Sequence, residues 1–316
     1  MRALVTGGAG FIGSTLVDRL LAEGHSVDVV DDLSSGTLAN LADARSDPRR
    51  EYSFHRIDIR SDAVVQLIAH RRPEVIFHLA AQADVRVSVE QPAFDAEVNV
   101  IGTINVLEGA RLAGSRKVVF AASGGTLYGE TDKLPIRESA PQRPLSPYGV
   151  SKKAGVDYLL AYRELHGLEC TSLALGNIYG PRQDPHGEAG VVAIFAGLLL
   201  AGRTCTIFGD GEQTRDFVFV DDVVDAFSRA ATRGDGLLMN IGTGTETSVN
   251  HLYTTMANGA GAESPPNYAP ARQGELRRSS LDPSKAAVHM GWKPWTTIEE
   301  GTGQVLRWFR DRAQGR

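Results

Sequence analysis

The sequence predicts an α/β protein: a doubly wound parallel sheet followed by a smaller C-terminal lobe. Three observations carry that prediction. A glycine run, Thr6-Gly7-Gly8-Ala9-Gly10-Phe11-Ile12-Gly13, separates a short apolar strand from an amphipathic helix. Apolar, β-branched segments then alternate with stretches of helical periodicity, as in a sheet buried on both faces. A chain of 316 residues can also bury one large core with a smaller lobe attached.

Arg2-Ala3-Leu4-Val5-Thr6 reads as a buried strand running into the glycines. Ile12, Leu16 and Leu20 recur at helical spacing, and Gly24 closes that helix. Ser26–Val30 is the second strand, ending at Asp31-Asp32. Further strands are expected at Glu74–His78, Lys117–Ala121 and Cys170–Leu175, with helical patterns near 62–71, 97–113 and 148–166 between them. After Asn177 the pattern changes. Residues 181–187 have loop chemistry and an apolar helix, Val191–Ala201, follows. Phe217–Val220 and Leu238–Ile241 look like late strands, and the stretch 259–283 is rich in Pro, Ala, Gly and Arg.

Composition narrows the function. With 42% hydrophobic and 22% charged residues the chain is an ordinary globular protein. Its net charge of −5, without a basic face, argues against nucleic-acid and membrane-surface partners. The two cysteines, Cys170 and Cys205, have no CxxC partner and no nearby His at ligand spacing, so no metal site is expected. Two reduced thiols, and a first strand beginning at Arg2 with no room for a signal peptide, suit a cytoplasmic protein. Val191–Ala201 is about half the length a bilayer requires.

The glycines fit a dinucleotide fingerprint in both spacings, Gly8-x-Gly10-x-x-Gly13 and Gly7-x-x-Gly10-x-x-Gly13. Close backbone approach lets a pyrophosphate rest on the positive end of the following helix, against Gly7, Gly10, Phe11, Ile12 and Gly13. Asp31, ending the second strand, would accept from both ribose hydroxyls and repel a 2′-phosphate, so NAD is expected rather than NADP. Asp32 beside it reads first as a turn residue and second as a further cofactor contact. Asp58, with Ile59, would meet the adenine, a helix cap being the alternative. Leu79, Ala80 and Ala81 are small or apolar residues suited to lying against a nicotinamide ribose. His78, just before them, reads as a packed core histidine. This Rossmann-type, NAD-binding domain is expected over residues 1–176 and a substrate lobe over 177–316, with late strands near 216–245 free to return to the main sheet.

The reacting groups are read from Ser146-Pro147-Tyr148-Gly149-Val150-Ser151-Lys152. Pro147 suits a first helical turn and Ser146 a cap, which puts Tyr148 and Lys152 one turn apart on one face. An ordinary phenol titrates near 10. The Lys152 ammonium, together with a positive nicotinamide, would draw Tyr148 toward neutrality, where a general base works best. Ser123 is the natural third hydroxyl, and Thr126 is the other candidate.

With these residues in place, the chain resembles the extended short-chain dehydrogenase/reductases, and among them the UDP-glucose (UDP-galactose) 4-epimerases and their N-acetylhexosamine relatives. The resemblance rests on the glycine run, His78-Leu79-Ala80-Ala81, Asn99-Val100-x-Gly102-Thr103, Ser146-Pro147-Tyr148-x-x-x-Lys152 and Gly176-Asn177-x-Tyr179-Gly180-Pro181-Arg182. Gly209-Asp210-Gly211, Arg215-Asp216-Phe217 and Gly291-Trp292-x-Pro294 extend it. It implies NAD-dependent C4 epimerisation of a UDP-hexose through a 4-keto sugar, with Asn99 among the cofactor residues. It also implies that Asn177, Arg182 and Val192 meet the substrate, that Phe208 lies by the uracil, and that Arg215 and Arg272 grip the diphosphate. Ser279 matches the hexose-pocket gatekeeper, and a small residue there leaves room for an N-acetyl group. The resemblance further implies a homodimer through the helices near 97–113 and 148–166.

Two departures, the small Ser279 at the gatekeeper position being one, and three rival readings accompany the resemblance. Ala121-Ala122-Ser123-Gly124-Gly125-Thr126 carries an extra glycine, which leaves Ser123 and Thr126 both open for the hydroxyl role. A sugar-nucleotide 4,6-dehydratase or decarboxylase needs an additional acid before Tyr128-Gly129, where this chain has Gly124-Gly125-Thr126-Leu127. A non-catalytic NAD-binding regulator usually lacks the Tyr/Lys pair present here. A C4 epimerase of a uronic acid or pentose nucleotide is a nearer alternative.

Overall fold

The computed structural model describes residues 1–49, 51–185, 190–271 and 276–314. Seven strands build the central sheet: β1 Arg2–Thr6, β2 Ser26–Asp31, β3 Tyr52–Arg56, β4 Val75–His78, β5 Lys117–Ser123, β6 Glu169–Leu175 and β7 Leu237–Ile241. Their order is β7-β6-β5-β4-β1-β2-β3, and every pairing is parallel. The order reverses between β1 and β4, and ligands of doubly wound sheets bind in the crevice at such a point.

The apolar strands follow from burial on both faces. Leu4, Ile76 and Val118 point into one core; the next residues, Val5, Phe77 and Val119, point into the other. Around the sheet lie α1 Phe11–Ala22, α2 Asp62–Arg71, α3 Gly102–Ala113, α4 Pro147–His166 and α5 Val220–Ala230. α4 starts as the sequence suggests: Pro147 occupies its first turn, and the Ser146 hydroxyl accepts from the Gly149 N–H at 3.2 Å. At its far end Gly167 adopts φ 66°, left-handed backbone that favours glycine.

The late strands part company. β7 joins the main sheet beside β6, whereas Phe217–Phe219 pairs with Asn177–Tyr179 in a separate two-stranded ribbon. The chain after Asn177 adds helices Val191–Leu200, Val249–Ala260 and Ile298–Ala313, and their inner faces (Phe195, Leu252, Met256, Val305) merge with the core under Val5 and Phe77. Among the described residues, the chain after Asn177 therefore has no separate apolar core. No helix among the described residues is long and apolar enough to cross a membrane.

Candidate active site

The glycine run is a turn that only glycine can build. Gly7 has φ +69°, and its N–H donates to Val30 O at 2.8 Å, hooking the end of β1 onto β2. A Cβ on Gly13 would lie 2.1 Å from Gly7 O, and one on Gly7 would lie 2.7 Å from the Ala80 N. α1 has no side-chain cap at its N-terminus, so the amides of its first turn stay available to an anion. Asp31 completes the turn from β2. Its two carboxylate oxygens accept from the Ala9 N–H at 2.9 Å and the Leu33 N–H at 2.8 Å. Burial pushes its carboxyl above the usual range, with those two bonds opposing the shift.

These residues open onto a cavity of about 620 Å³ along the carboxyl edge of the sheet. At one end lie Asp31, Asp32, Asp58 and Ile59. Gly7, Gly10, Phe11, Ile12 and Gly13 follow, then Leu79, Ala80 and Ala81. Ser123, Tyr148 and Lys152 stand at the other end. Asp32 caps its own turn, accepting from the Ser34 N–H at 2.9 Å. Asp58 is paired with Arg60 at 2.6 Å, and that guanidinium holds its carboxyl below the usual range. His78 is buried, hydrogen-bonded to Thr6 at 2.7 Å and Thr103 at 2.9 Å. Burial lowers its pKa to about 3, which keeps it neutral in the core.

Asn99 does not line the cavity; it shapes the wall from behind. Its amide donates to Gln82 O at 2.8 Å and accepts from the Gln82 N–H at 3.0 Å. Buried Asp95 extends this support. It accepts from Asn99 at 2.9 Å, from Gln82 at 3.0 Å and from the Ser151 hydroxyl of α4 at 2.6 Å. One carboxylate thus ties the wall after β4 to the helix carrying Tyr148 and Lys152. Sequence reasoning passed over Asp95, which sits inside an otherwise unremarked helical stretch.

At the reacting end, Lys152 is buried and its Nζ donates to Ala121 O at 3.0 Å. That nitrogen lies 4.9 Å from the Phe120 ring centroid and 5.8 Å from that of Tyr148. Ser123 ends β5 and faces the cavity. Thr126 does not line it: within the Gly124–Leu127 turn its hydroxyl is buried with no hydrogen-bond partner, packed behind Gly149 of α4.

The expected substrate residues that are described lie outside this cavity's lining. Asn177 is exposed at the start of its ribbon, beside Gly176 and Ile178, which do line the cavity. Val192 is only 1% exposed, on the inner face of its helix, so its side chain belongs to the core. Phe208 ends the strand Thr206–Phe208, which pairs with Asn267–Ala269. Arg215 donates to Thr214 O and Leu276 O, both at 2.8 Å. Ser279 is buried. Arg182 turns toward Asp18 and Asp43, at 2.7 and 3.1 Å. Arg272 lies outside the described residues.

Asp216, between Arg215 and the ribbon, emerges as an organiser that the motif alone did not single out. Its buried carboxylate accepts from the Thr243 N–H and hydroxyl, the Gly244 N–H and the Leu281 N–H, while its carbonyl accepts from the Asn177 N–H at 2.8 Å. Leu281 packs against Gly124, where a Cβ would come within 2.4 Å of it. The turn after Ser123 is therefore braced from the C-terminal lobe.

The fit to a dinucleotide rests on this geometry: a turn with no room for side chains, open amides at a helix N-terminus, and a carboxylate at the end of β2. A phenol, an ammonium and a hydroxyl at the other end can move a proton at a carbinol.

Comparison with known proteins agrees with the geometry. A family model described as GDP-mannose 4,6 dehydratase matches residues 4–305. A UDP-glucose 4-epimerase from Mycolicibacterium smegmatis is 54% identical over 315 residues, 99% of this chain and 100% of that protein. The crystal structure of UDP-glucose 4-epimerase with UDP-glucose from Thermotoga maritima is similar with a TM-score of 0.95 at 44% identity, covering 99% of this chain and 100% of that one. The UDP-glucose 4-epimerase of Thermus thermophilus in complex with NAD is similar with a TM-score of 0.90 at 42% identity, over 98% and 99% of the two chains.

Proposed function

The chain belongs to the extended short-chain dehydrogenase/reductase family, and from that premise we propose that it is an NAD-dependent UDP-hexose 4-epimerase interconverting UDP-glucose and UDP-galactose. One observation carries the reading: a single cavity runs from the glycine turn to Ser123, Tyr148 and Lys152. NAD, when bound, supplies a hydride acceptor that later serves as donor to the same carbon. Gly7, Gly10, Gly13 and the first turn of α1 would hold its pyrophosphate, Asp31 its ribose, and Leu79–Ala81 would line the site beside them.

Tyr148 takes the proton from the sugar's 4-hydroxyl as C4 is oxidised. The buried Lys152 ammonium favours the phenolate that Tyr148 must reach. Ser123 donates to the same sugar oxygen and holds it in line. The 4-keto sugar then turns about its diphosphate link, and Tyr148 returns the proton once C4 has been reduced on its other face. The dehydratase reading loses support at the same place. Among the described lining residues the carboxylates are Asp31, Asp32 and Asp58, and none stands at the Ser123–Tyr148 end.

A panel of nucleotide sugars, incubated with the purified protein and no added cofactor, tests this. UDP-galactose is expected to give UDP-glucose. The small Ser279 side chain supports turnover of the N-acetylated pair as well, and no product from either pair would remove the reading. Exposed apolar side chains at Ile101 and Leu112 and at Val150, Leu160 and Leu165 of α4 support a homodimer. Light scattering that gave a monomer mass at micromolar concentration would count against that assembly.

A further inference from the structure

Between the glycine turn and the reacting end, the loop after Tyr179 borders the cavity through Gln183. Gly180 abuts Phe11, since a Cβ there would lie 3.4 Å from the Phe11 ring. Gln183 lines the cavity and donates through Nε2 to Ile178 O at 3.2 Å. Arg182, between them, faces the other way. It is a non-glycine residue at φ 72°, a backbone conformation that persists only where the surroundings hold it. What holds it is electrostatic. One guanidinium nitrogen lies 2.7 Å from an oxygen of Asp18, on α1, and 3.1 Å from one of Asp43, on the short helix Ala42–Ser46.

We propose that Arg182 is a latch: by clasping Asp18 and Asp43 it holds the Gly180–Gln183 loop over the dinucleotide and sets how slowly the cofactor leaves. The inference rests on the reading that this cavity holds NAD, and it assigns Arg182 a role other than the substrate contact implied by resemblance. Arg182 is a positioning residue, acting through the loop. The latch ties the loop to α1 and to the helix Ala42–Ser46, which already pack against one another. The Arg182 side chain is 17% accessible and that of Asp18 26%, so the pair is partly shielded from salt. Burial raises the Asp18 carboxyl against the pull of Arg182. Without the guanidinium, the Asp18 and Asp43 carboxylates would be left facing each other and the loop would lose its tie to α1.

The test is the rate at which purified protein exchanges bound NAD for labelled NAD. Arg182→Ala is expected to release it about tenfold faster or more, as expected for loss of a charge-assisted bond. Arg182→Lys, with a point charge and no fork, should fall between. Wild-type release should speed up with ionic strength, whereas release from Arg182→Ala should respond little. With NAD saturating, the KM for UDP-galactose should stay within about twofold of wild type. Asp18→Asn, which keeps the side chain's shape, should also speed release, and circular dichroism shows whether each variant is folded. A wild-type release rate in folded Arg182→Ala overturns the latch, as does a raised KM with unaltered release. Wild-type protein that never holds NAD overturns both the latch and the proposed function; variants that lose NAD faster but still epimerise support both.

Discussion

Replacing Tyr148 with Phe is expected to lower epimerase turnover by about 10²- to 10⁴-fold, the usual contribution of a positioned general acid–base. The substitution removes one oxygen and leaves the ring where it stands on α4, near Lys152. NAD content and the KM for UDP-galactose should change by no more than about twofold, because the lost interaction acts in the transition state rather than in binding. Steady-state kinetics with chromatographic detection of the product sugar measures both. If the Phe variant turned over at near-wild-type rate, Tyr148 would have no part in proton transfer and Lys152 no phenol to tune.

Replacing Gly13 with Ala should be comparably damaging, for a steric reason. The new Cβ would sit 2.1 Å from Gly7 O and 2.8 Å from the Gly7 carbonyl carbon and Gly8 Cα. All three are backbone atoms, and Gly7 is itself fixed by its bond to Val30 and its contact with Ala80. Either α1 moves away from β1 or the turn opens, and both spoil the surface on which a pyrophosphate would lie. Overpacking of this kind costs about 1–3 kcal/mol. The variant should purify with little bound dinucleotide, read from its absorbance ratio, and melt several degrees lower. A variant with full NAD content and an unchanged melting curve would mean that the turn has slack the distances deny.

What the sequence made legible was local. The glycine turn is specified by consecutive residues whose backbones must approach closely, and Ser146, Pro147, Tyr148 and Lys152 lie within the first turns of one helix. Such patterns carry their geometry with them. β3 was harder to read. Tyr52–Arg56 is an edge strand, half-buried along most of its length, so it lacks the apolar run that marked β1, β4 and β5. Only Asp58, past its end, hinted at it. Helix Ile298–Ala313 went unread, although Thr297 and Glu300 form a capping box at its start.

The choice between Ser123 and Thr126 could not be made from spacing, because two glycines separate them and either could precede the turn. The structure places the turn at Gly124–Leu127, leaving Ser123 on the cavity and Thr126 behind α4. Phe217–Phe219 and Leu237–Ile241 look alike as apolar segments, yet only the latter finds a free sheet edge, at β6. Arg182 shows the same limit. A motif names the residue, but a positive φ and two distant carboxylates decide where its side chain goes. Asp95 and Asp216 were invisible as functional supports because their partners come from elements far apart in the chain.

The most direct test of the central claim follows the hydrogen at C4. If that hydrogen is taken from and returned to one carbon within this cavity, UDP-galactose deuterated at C4 should yield UDP-glucose with the deuterium still at C4, in ordinary water and with no cofactor added. Product that has lost the label to solvent, or carries it at C6, would contradict the account.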